Sequence, residues 1–384
     1  MFARILEKEI KSKLRKGKAI ILIGPRQVGK TTLIEKMLIS QDYLFINGDD
    51  PTSRSLFTNP STERLASIIG DYKTVFVDEA QRIENIGITL KLITDQFKHI
   101  QLFVSGSSAL EINYKTSEAL TGRKREYILY PISWEEYESK LGFVESEQQI
   151  ENRLLYGFYP EVLNNPGDER DALSNLTDSY LLRDMLAISD IKKPEVLQKL
   201  AQLLALQVGS EVSYNELANS LHVDKNTVSK YIDILQAGYV IFKLPSFSRN
   251  IRNEIKKNQK IYFYDNGIRN MLIGNFNPLD IRTDKGTLWE NFLMSERIKQ
   301  NKYKKTFANM YFWRTRQQQE VDLVEEKAGE ITGFEFKWNP RKKVKLPTTF
   351  IKGYDAKQQV VTRENFREFV VTSKSLLTKK SEQI

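Results

Sequence analysis

Residues 1 to about 140 alternate short apolar runs with amphipathic stretches. KAIILIG (18–24), DYLFING (42–48), KTVFVDEA (73–80), HIQLFVSG (99–106) and REYILYPIS (125–133) predict strands. Stretches 32–39 and 89–97 between them predict helices. Near-continuous apolar strands separated by helices indicate a parallel sheet covered on both faces. Ser133 with Glu136 three residues later reads as a capping box opening a further helix.

From about 141 to 208 the pattern is helical, broken near GFYPEVLNNPGDE. Leu197, Leu200, Leu203, Leu204 and Leu206 mark a buried helix face. Ser213 and Glu216 suggest a second capping box. Leu217, Ala218, Leu221, Val223, Val228, Tyr231, Ile232 and Leu235 then fit two short helices meeting at a turn. Gly238 can end the second helix and YVIFKL can follow as a wing strand, the outline of a winged helix-turn-helix. After Pro245 the basic stretch SRNIRNEIKKNQK precedes strand-like IYFYD, helical GTLWENFLMSERIKQ, and the strands YFWRT, EVDLVEE and ITGFEFKW.

The 384 residues contain no cysteine, which excludes a disulfide scaffold, a thiolate metal site and a cysteine nucleophile. Two histidines far apart in sequence, His99 and His222, argue against a histidine metal site or a Ser-His-Asp triad. The N-terminal stretch lacks the apolar segment of a signal peptide, and no run is long and apolar enough to span a membrane; a soluble, cytoplasmic protein is expected. The net charge of +9 is uneven. Residues 246–384 carry 28 Lys and Arg against 16 Asp and Glu, while residues 1–245 carry 30 against 33. The basic last third suggests an acidic partner, DNA or RNA, although a solvated basic surface has the same composition.

GPRQVGKT matches the phosphate-binding pattern G-x-x-x-x-G-K-[ST] between a strand and a helix. Gly24, Pro25, Arg26, Gln27, Val28, Gly29, Lys30, Thr31 and Thr32 would wrap the phosphates of ATP. Lys30 would reach the β- and γ-phosphates, and the Thr31 hydroxyl would ligate Mg²⁺. TVFVDEA sets Asp78 and Glu79 at the end of a buried strand. Asp78 would hold Mg²⁺ and Glu79 would orient and deprotonate the attacking water. In VSGSS, Ser105 or Ser108 would sense the γ-phosphate. Arg123, followed by Lys124 and Arg125, would stabilise the transferring phosphoryl group, in cis or from a neighbouring subunit.

Through GPRQVGKT, VFVDEAQ, VSGSSAL, LTGRKREYILYPISWEEY and GFYPEVL, the N-terminal half resembles an AAA+ ATPase. The chain is similar to a bacterial and archaeal group of these whose C-terminal region is a domain of unknown function. NELANSLHVDKNTVSKYIDILQAGYVIFKLP, KIYFYDNGIRN, GTLWENF, EVDLVEE and FEFKW carry that part of the likeness. The resemblance implies a helical lid whose Gly157 and Pro160 contact the nucleotide, with one glycine where two are common.

In FEFKW, Phe334, Phe336 and Trp338 face one way, Glu335 and Lys337 the other. Asp322 on the preceding strand, across a turn at Ala328 and Gly329, would converge with Glu335 on one Mg²⁺. Lys337 would position water, and Glu290 on the upstream helix would complete the shell. The spacing resembles the PD-(D/E)XK nuclease pattern, without the proline before Asp322. Lys225, Asn226, Thr227, Ser229 and Lys230 would face a DNA groove if the helix pair reads DNA.

The expected fold class is therefore α/β: an AAA+-like P-loop NTPase domain (1–145), a helical lid and winged helix (146–245), and an α/β restriction-endonuclease-like domain (246–384). The expected function is ATP hydrolysis controlling a module that binds, and in one version cleaves, nucleic acid. The alternative is a nucleotide-dependent switch acting on a protein partner, with an inactive nuclease-like domain. A homo-oligomer is compatible with both.

Overall fold

The computed structural model describes residues 1–107, 120–178, 191, 193–248, 259–341 and 344–371. The chain divides into two compact units. The first holds residues 3–131 with 237–239 and Met1; the second holds 132–236 and 240–384 with Phe2.

In the first unit five strands form one parallel sheet in the order β2-β3-β4-β1-β5. They are β1 (Ala19–Ile23), β2 (Leu44–Asn47), β3 (Thr74–Asp78), β4 (Gln101–Gly106) and β5 (Lys124–Ile128), one for each apolar run. Every residue of β1, β3 and β4 is buried, which is why these segments read as unbroken apolar runs. Helices Lys30–Leu38 and Ile86–Gln96 turn apolar stripes of Leu33, Ile34, Met37, Leu38 and of Ile86, Leu90, Ile93 inward.

The second unit is richer in helices. Helix Trp134–Leu141 opens with the expected capping box: the Ser133 hydroxyl accepts from the Glu136 N–H, and the Glu136 carboxylate accepts from the Ser133 N–H. Helices Tyr214–Leu221 and Lys225–Ala237 follow one another across a short turn. Asp224 accepts the Thr227 N–H at 2.9 Å and the Thr227 hydroxyl at 2.6 Å, so Thr227 belongs to the helix start. β6 (Glu211–Val212), β7 (Ile241–Leu244) and β8 (Gln259–Phe263) form an antiparallel sheet in the order β6-β8-β7.

A second sheet is mixed. β9 (Asn309–Arg314), β10 (Glu320–Lys327) and β11 (Glu330–Lys337) are antiparallel neighbours, and β12 (Lys357–Thr362) lies parallel to β11. Ala328 and Gly329, at φ 50° and 84°, make the tight β10–β11 turn, whose two left-handed residues match strand twist. The sequence pattern missed β12. Helix Lys285–Lys304 buries Leu288, Trp289, Phe292, Leu293 and Met294; Trp289, Phe292, Trp134, Phe158 and Phe366 form an aromatic core with ring centroids 5.1–6.3 Å apart. Among the described residues no helix is long and apolar enough to cross a membrane.

Candidate functional site

The glycine-rich loop leaves the carboxyl end of β1 and bends through positive φ at Gly24 (145°), Gln27 (58°) and Gly29 (87°) before helix Lys30–Leu38 begins. A Cβ on Gly24 would run into the Leu129 carbonyl oxygen, so only glycine permits this exit. Gln27 holds a left-handed conformation at a cost of about 1 kcal/mol, strain of the kind a binding loop retains. The Lys30 ammonium, nearly buried, lies inside the bend and donates to the Gly24 and Pro25 carbonyls at 3.0 and 2.7 Å.

Strand order explains the rest. β4 lies between β1 and β3, and Val77 pairs Val104, so the next residues, Asp78 and Ser105, are neighbours. The Ser105 hydroxyl donates to one Asp78 oxygen, and Thr31, at the helix start, donates to the other at 2.8 Å. Ser105 is thus tied to the strand-end acid; Ser108 lies outside the described residues. Glu79 follows in left-handed backbone (φ 47°), and its carboxylate accepts from the Gln81 amide at 2.5 Å. Gln81 also donates to Ser107 at 3.0 Å.

Arg123 is the exception. It precedes Lys124, which pairs with Ala19 at the amino end of β1, whereas the loop leaves the opposite end, roughly 16 Å away at about 3.3 Å per residue. Its Nε donates to Asp95 at 2.5 Å. The expectation of Arg123 acting in cis is therefore corrected: parallel strands carry their termini at opposite edges.

Three supporting residues escaped the sequence reading. Gly48 ends β2, and a Cβ there would collide with the Glu79 carbonyl; its N–H donates to the Asp78 carbonyl at 2.8 Å. Arg4 donates to the carbonyls of Val28 and Tyr130 at 2.7 and 2.6 Å, pinning the loop. Gln81 was visible only as the letter after DEA.

Gly157 and Pro160 belong to the second unit. Pro160 is the first residue of helix Pro160–Asn164. Gly157 is explained locally: a Cβ would strike the Asp265 carboxylate. Asp265 is buried and accepts from the N–H groups of Phe158 (2.7 Å), Gly267 (2.9 Å) and Ile268 (3.2 Å). Burial raises its pKa against those hydrogen bonds.

The four residues expected to form a second site do come together. Leu323 pairs Phe334, so Asp322 and Glu335 are opposed on the same face of the β10–β11 pair. Asp322 accepts the Phe336 N–H at 2.8 Å, and Lys337 reaches Glu335 at 2.7 Å. Glu290 accepts from the Tyr262 hydroxyl at 2.6 Å. Lys260, absent from the expected set, bridges Glu320 and approaches Glu290 at 3.7 Å.

Burial and the Asp322 charge push the Glu290 carboxyl up to about 7, against Lys260 and the Tyr262 hydrogen bond. Asp322 is raised chiefly by burial, and Glu335 by burial and then Asp322. Burial acts to discharge Lys260 and Lys337, but the surrounding carboxylates outweigh it and hold both above the usual lysine range. Among the described residues no three His, Asp or Glu side chains are placed to hold a metal ion. The opposed Asp322 and Glu335 still suit Mg²⁺, which commonly takes one or two carboxylates and fills its shell with water and phosphate.

Residues 16–138 match the family model described as an AAA domain. The first unit is accordingly a P-loop, ATPase-like domain. Residues 147–279 and 285–379 match two models described as domains of unknown function, DUF8612 and DUF4143. The chain is 26% identical over 333 residues to an uncharacterized protein of Mycobacterium tuberculosis, covering 84% of this chain and 71% of that one. It is 24% identical to an uncharacterized protein of Haemophilus influenzae, covering 68% and 67%. Among solved structures it is similar to a Walker-type ATPase of Pyrococcus abyssi at 15% identity and a TM-score of 0.46, covering 71% of this chain and 96% of that one.

Proposed function

We propose that the protein binds and hydrolyses ATP at the loop Gly24–Thr32, and that its nucleotide state controls a C-terminal module that binds nucleic acid. The convergence of Thr31, Asp78 and Ser105 beside a loop containing the Lys30 ammonium carries the first half. Thr31 and Asp78 offer oxygen donors 2.8 Å apart, which fits Mg²⁺. Bound there, Mg²⁺ would supply charge neutralisation for the phosphates. Lys30, with the loop N–H groups and the helix start, holds the phosphates. Glu79, oriented by Gln81, orients water and accepts its proton. Arg123 would serve only a neighbouring subunit. Pro160 would contact nucleotide as part of a lid.

For the second half, the charge surplus after residue 245 supports a nucleic-acid partner. Lys225, Asn226 and Lys230 are exposed on helix Lys225–Ala237 and Ser229 is half-buried, which suits phosphate contacts of a winged helix. Asp322, Glu335 and Lys337 support phosphodiester cleavage, with Asp322 and Glu335 holding Mg²⁺ and Lys337 positioning water. Incubating the protein with plasmid, single-stranded DNA and RNA in Mg²⁺ or Mn²⁺ tests this. Cleavage lost in Asp322→Ala supports it; no cleavage, or cleavage unchanged by that substitution, contradicts it. The two ammonium groups engaged by the cluster favour a second reading, a switch acting on a protein partner with an inactive nuclease-like domain. ATP turnover indifferent to nucleic acid, with a co-purifying protein, would mark that case.

A further inference from the structure

We propose that Lys260 is an internal cation that occupies the Glu290–Glu320–Asp322 cluster and competes with a divalent metal ion for it. The inference rests on the reading of Asp322 and Glu335 as a metal-binding pair. It explains why four carboxylates gathered on one side of β10, β11 and the adjoining helix present no three-ligand metal group among the described residues.

Lys260 comes from β8, in a different sheet from Asp322 and Glu335. Its side chain is 3% exposed, and its ammonium engages Glu320 while approaching Glu290 at 3.7 Å. Glu320 is also within 3.8 Å of Arg314, so this acid is turned to cations on two sides. Glu290 receives the Tyr262 hydroxyl from the same strand β8. β8 therefore engages both acids that would otherwise be available to join Asp322 as ligands.

The electrostatics favour competition. With all four acids ionised, Glu290, Glu320, Asp322 and Glu335 carry four negative charges against three positive ones on Lys260, Lys337 and Arg314. With Lys260 withdrawn, the remaining charge of two matches one divalent ion. A metal entering beside Asp322 would meet the Lys260 charge in a poorly screened setting, where repulsion is strong. The ammonium is tethered, so it competes at high effective concentration and loses no translational freedom. Metal entry then requires Lys260 to leave Glu290 and Glu320. Because Lys260 is carried on β8, paired to β6 and β7, a shift of that sheet would be the natural release.

A purely structural ion pair tying β8 to β10 would show the same distances, so the test reads metal binding. Mn²⁺ alone is titrated calorimetrically into the nucleotide-free 384-residue chain, as wild type, Lys260→Met, and Lys260→Met with Asp322→Asn. The expected result is Mn²⁺ binding at least about tenfold tighter in Lys260→Met, with the gain abolished by adding Asp322→Asn. If Lys260→Met fails to fold by circular dichroism, Lys260→Gln removes the charge while keeping a polar side chain of similar length and is held to the same expectation. Asp322-dependent binding equally tight in wild type and variant overturns the competition while leaving the metal pair intact. No Asp322-dependent binding in any folded variant overturns both.

Discussion

Asp284 stands between two arginines: its carboxylate accepts from Arg269 Nη1 at 2.6 Å and from Arg282 Nε and Nη2, both at 2.8 Å. Burial opposes its ionisation, but the hydrogen bonds from Arg282 and Arg269 prevail and lower its pKa from 3.8 to about 2. A depressed folded-state pKa contributes stability that is present above the unfolded value and lost as pH falls through the folded one. Discounted for solvent screening at this half-buried site, the contribution is on the order of 1 kcal/mol at neutral pH, disappearing between about pH 4 and pH 2. Asp284→Asn should lower the urea midpoint of the second unit at pH 6, and the gap to wild type should close towards pH 2. Gly48 supports the proposed ATPase site sterically. Gly48→Ala would push the new Cβ against the Glu79 carbonyl and displace the two acids. Misplacement on the scale of an ångström can cost about 10²-fold, so steady-state ATP turnover should fall by about that factor while the fold, read by circular dichroism, persists.

At the scale of elements, β1, β3 and β4 of the first sheet were legible because each is buried on both faces and so is apolar without interruption, whereas the edge strands β2 and β5 are only partly buried and were legible from shorter apolar runs. The β10–β11 hairpin was legible for a different reason, the alternation of FEFKW after an Ala-Gly turn. β12 was not. Its sequence KQQVVT is two-thirds polar, and only Val361 of the strand is buried, so neither pattern reveals it. The loop and its acids were readable from spacing alone, since the residue types needed for phosphate and Mg²⁺ recur at fixed offsets. Residues that support a site through backbone contacts leave no such trace. Arg4 meets Val28 and Tyr130 across 24 and 126 positions, and Lys260 meets Glu320 across two sheets. Arg4 yields a prediction at this scale. Removing two charged hydrogen bonds to carbonyls that fix the loop should loosen it. Arg4→Ala is expected to weaken ATP binding by about tenfold, measured by calorimetry, with a smaller loss in Arg4→Lys.

For the whole molecule, charge distribution is the property on which the proposed nucleic-acid partner rests. The basic surplus lies after residue 245, and much of it falls in segments 249–258 and 372–384, outside the described residues. If these lysines and arginines meet phosphates, each contact contributes about −0.9 for duplex DNA, or about −0.7 for a single strand, to the slope of log affinity against log salt. Binding of fluorescent single-stranded or duplex DNA should therefore weaken steeply between about 50 and about 200 mM salt. A salt-insensitive interaction would point to a protein partner instead. The central claim is narrower and is tested most directly by phosphate release from ATP in Mg²⁺, measured in parallel for wild type and Lys30→Ala. The account predicts turnover by the wild type and its near-complete loss in the folded variant, because the ammonium inside the loop is the group proposed to meet the phosphates. Turnover unchanged by Lys30→Ala would contradict it.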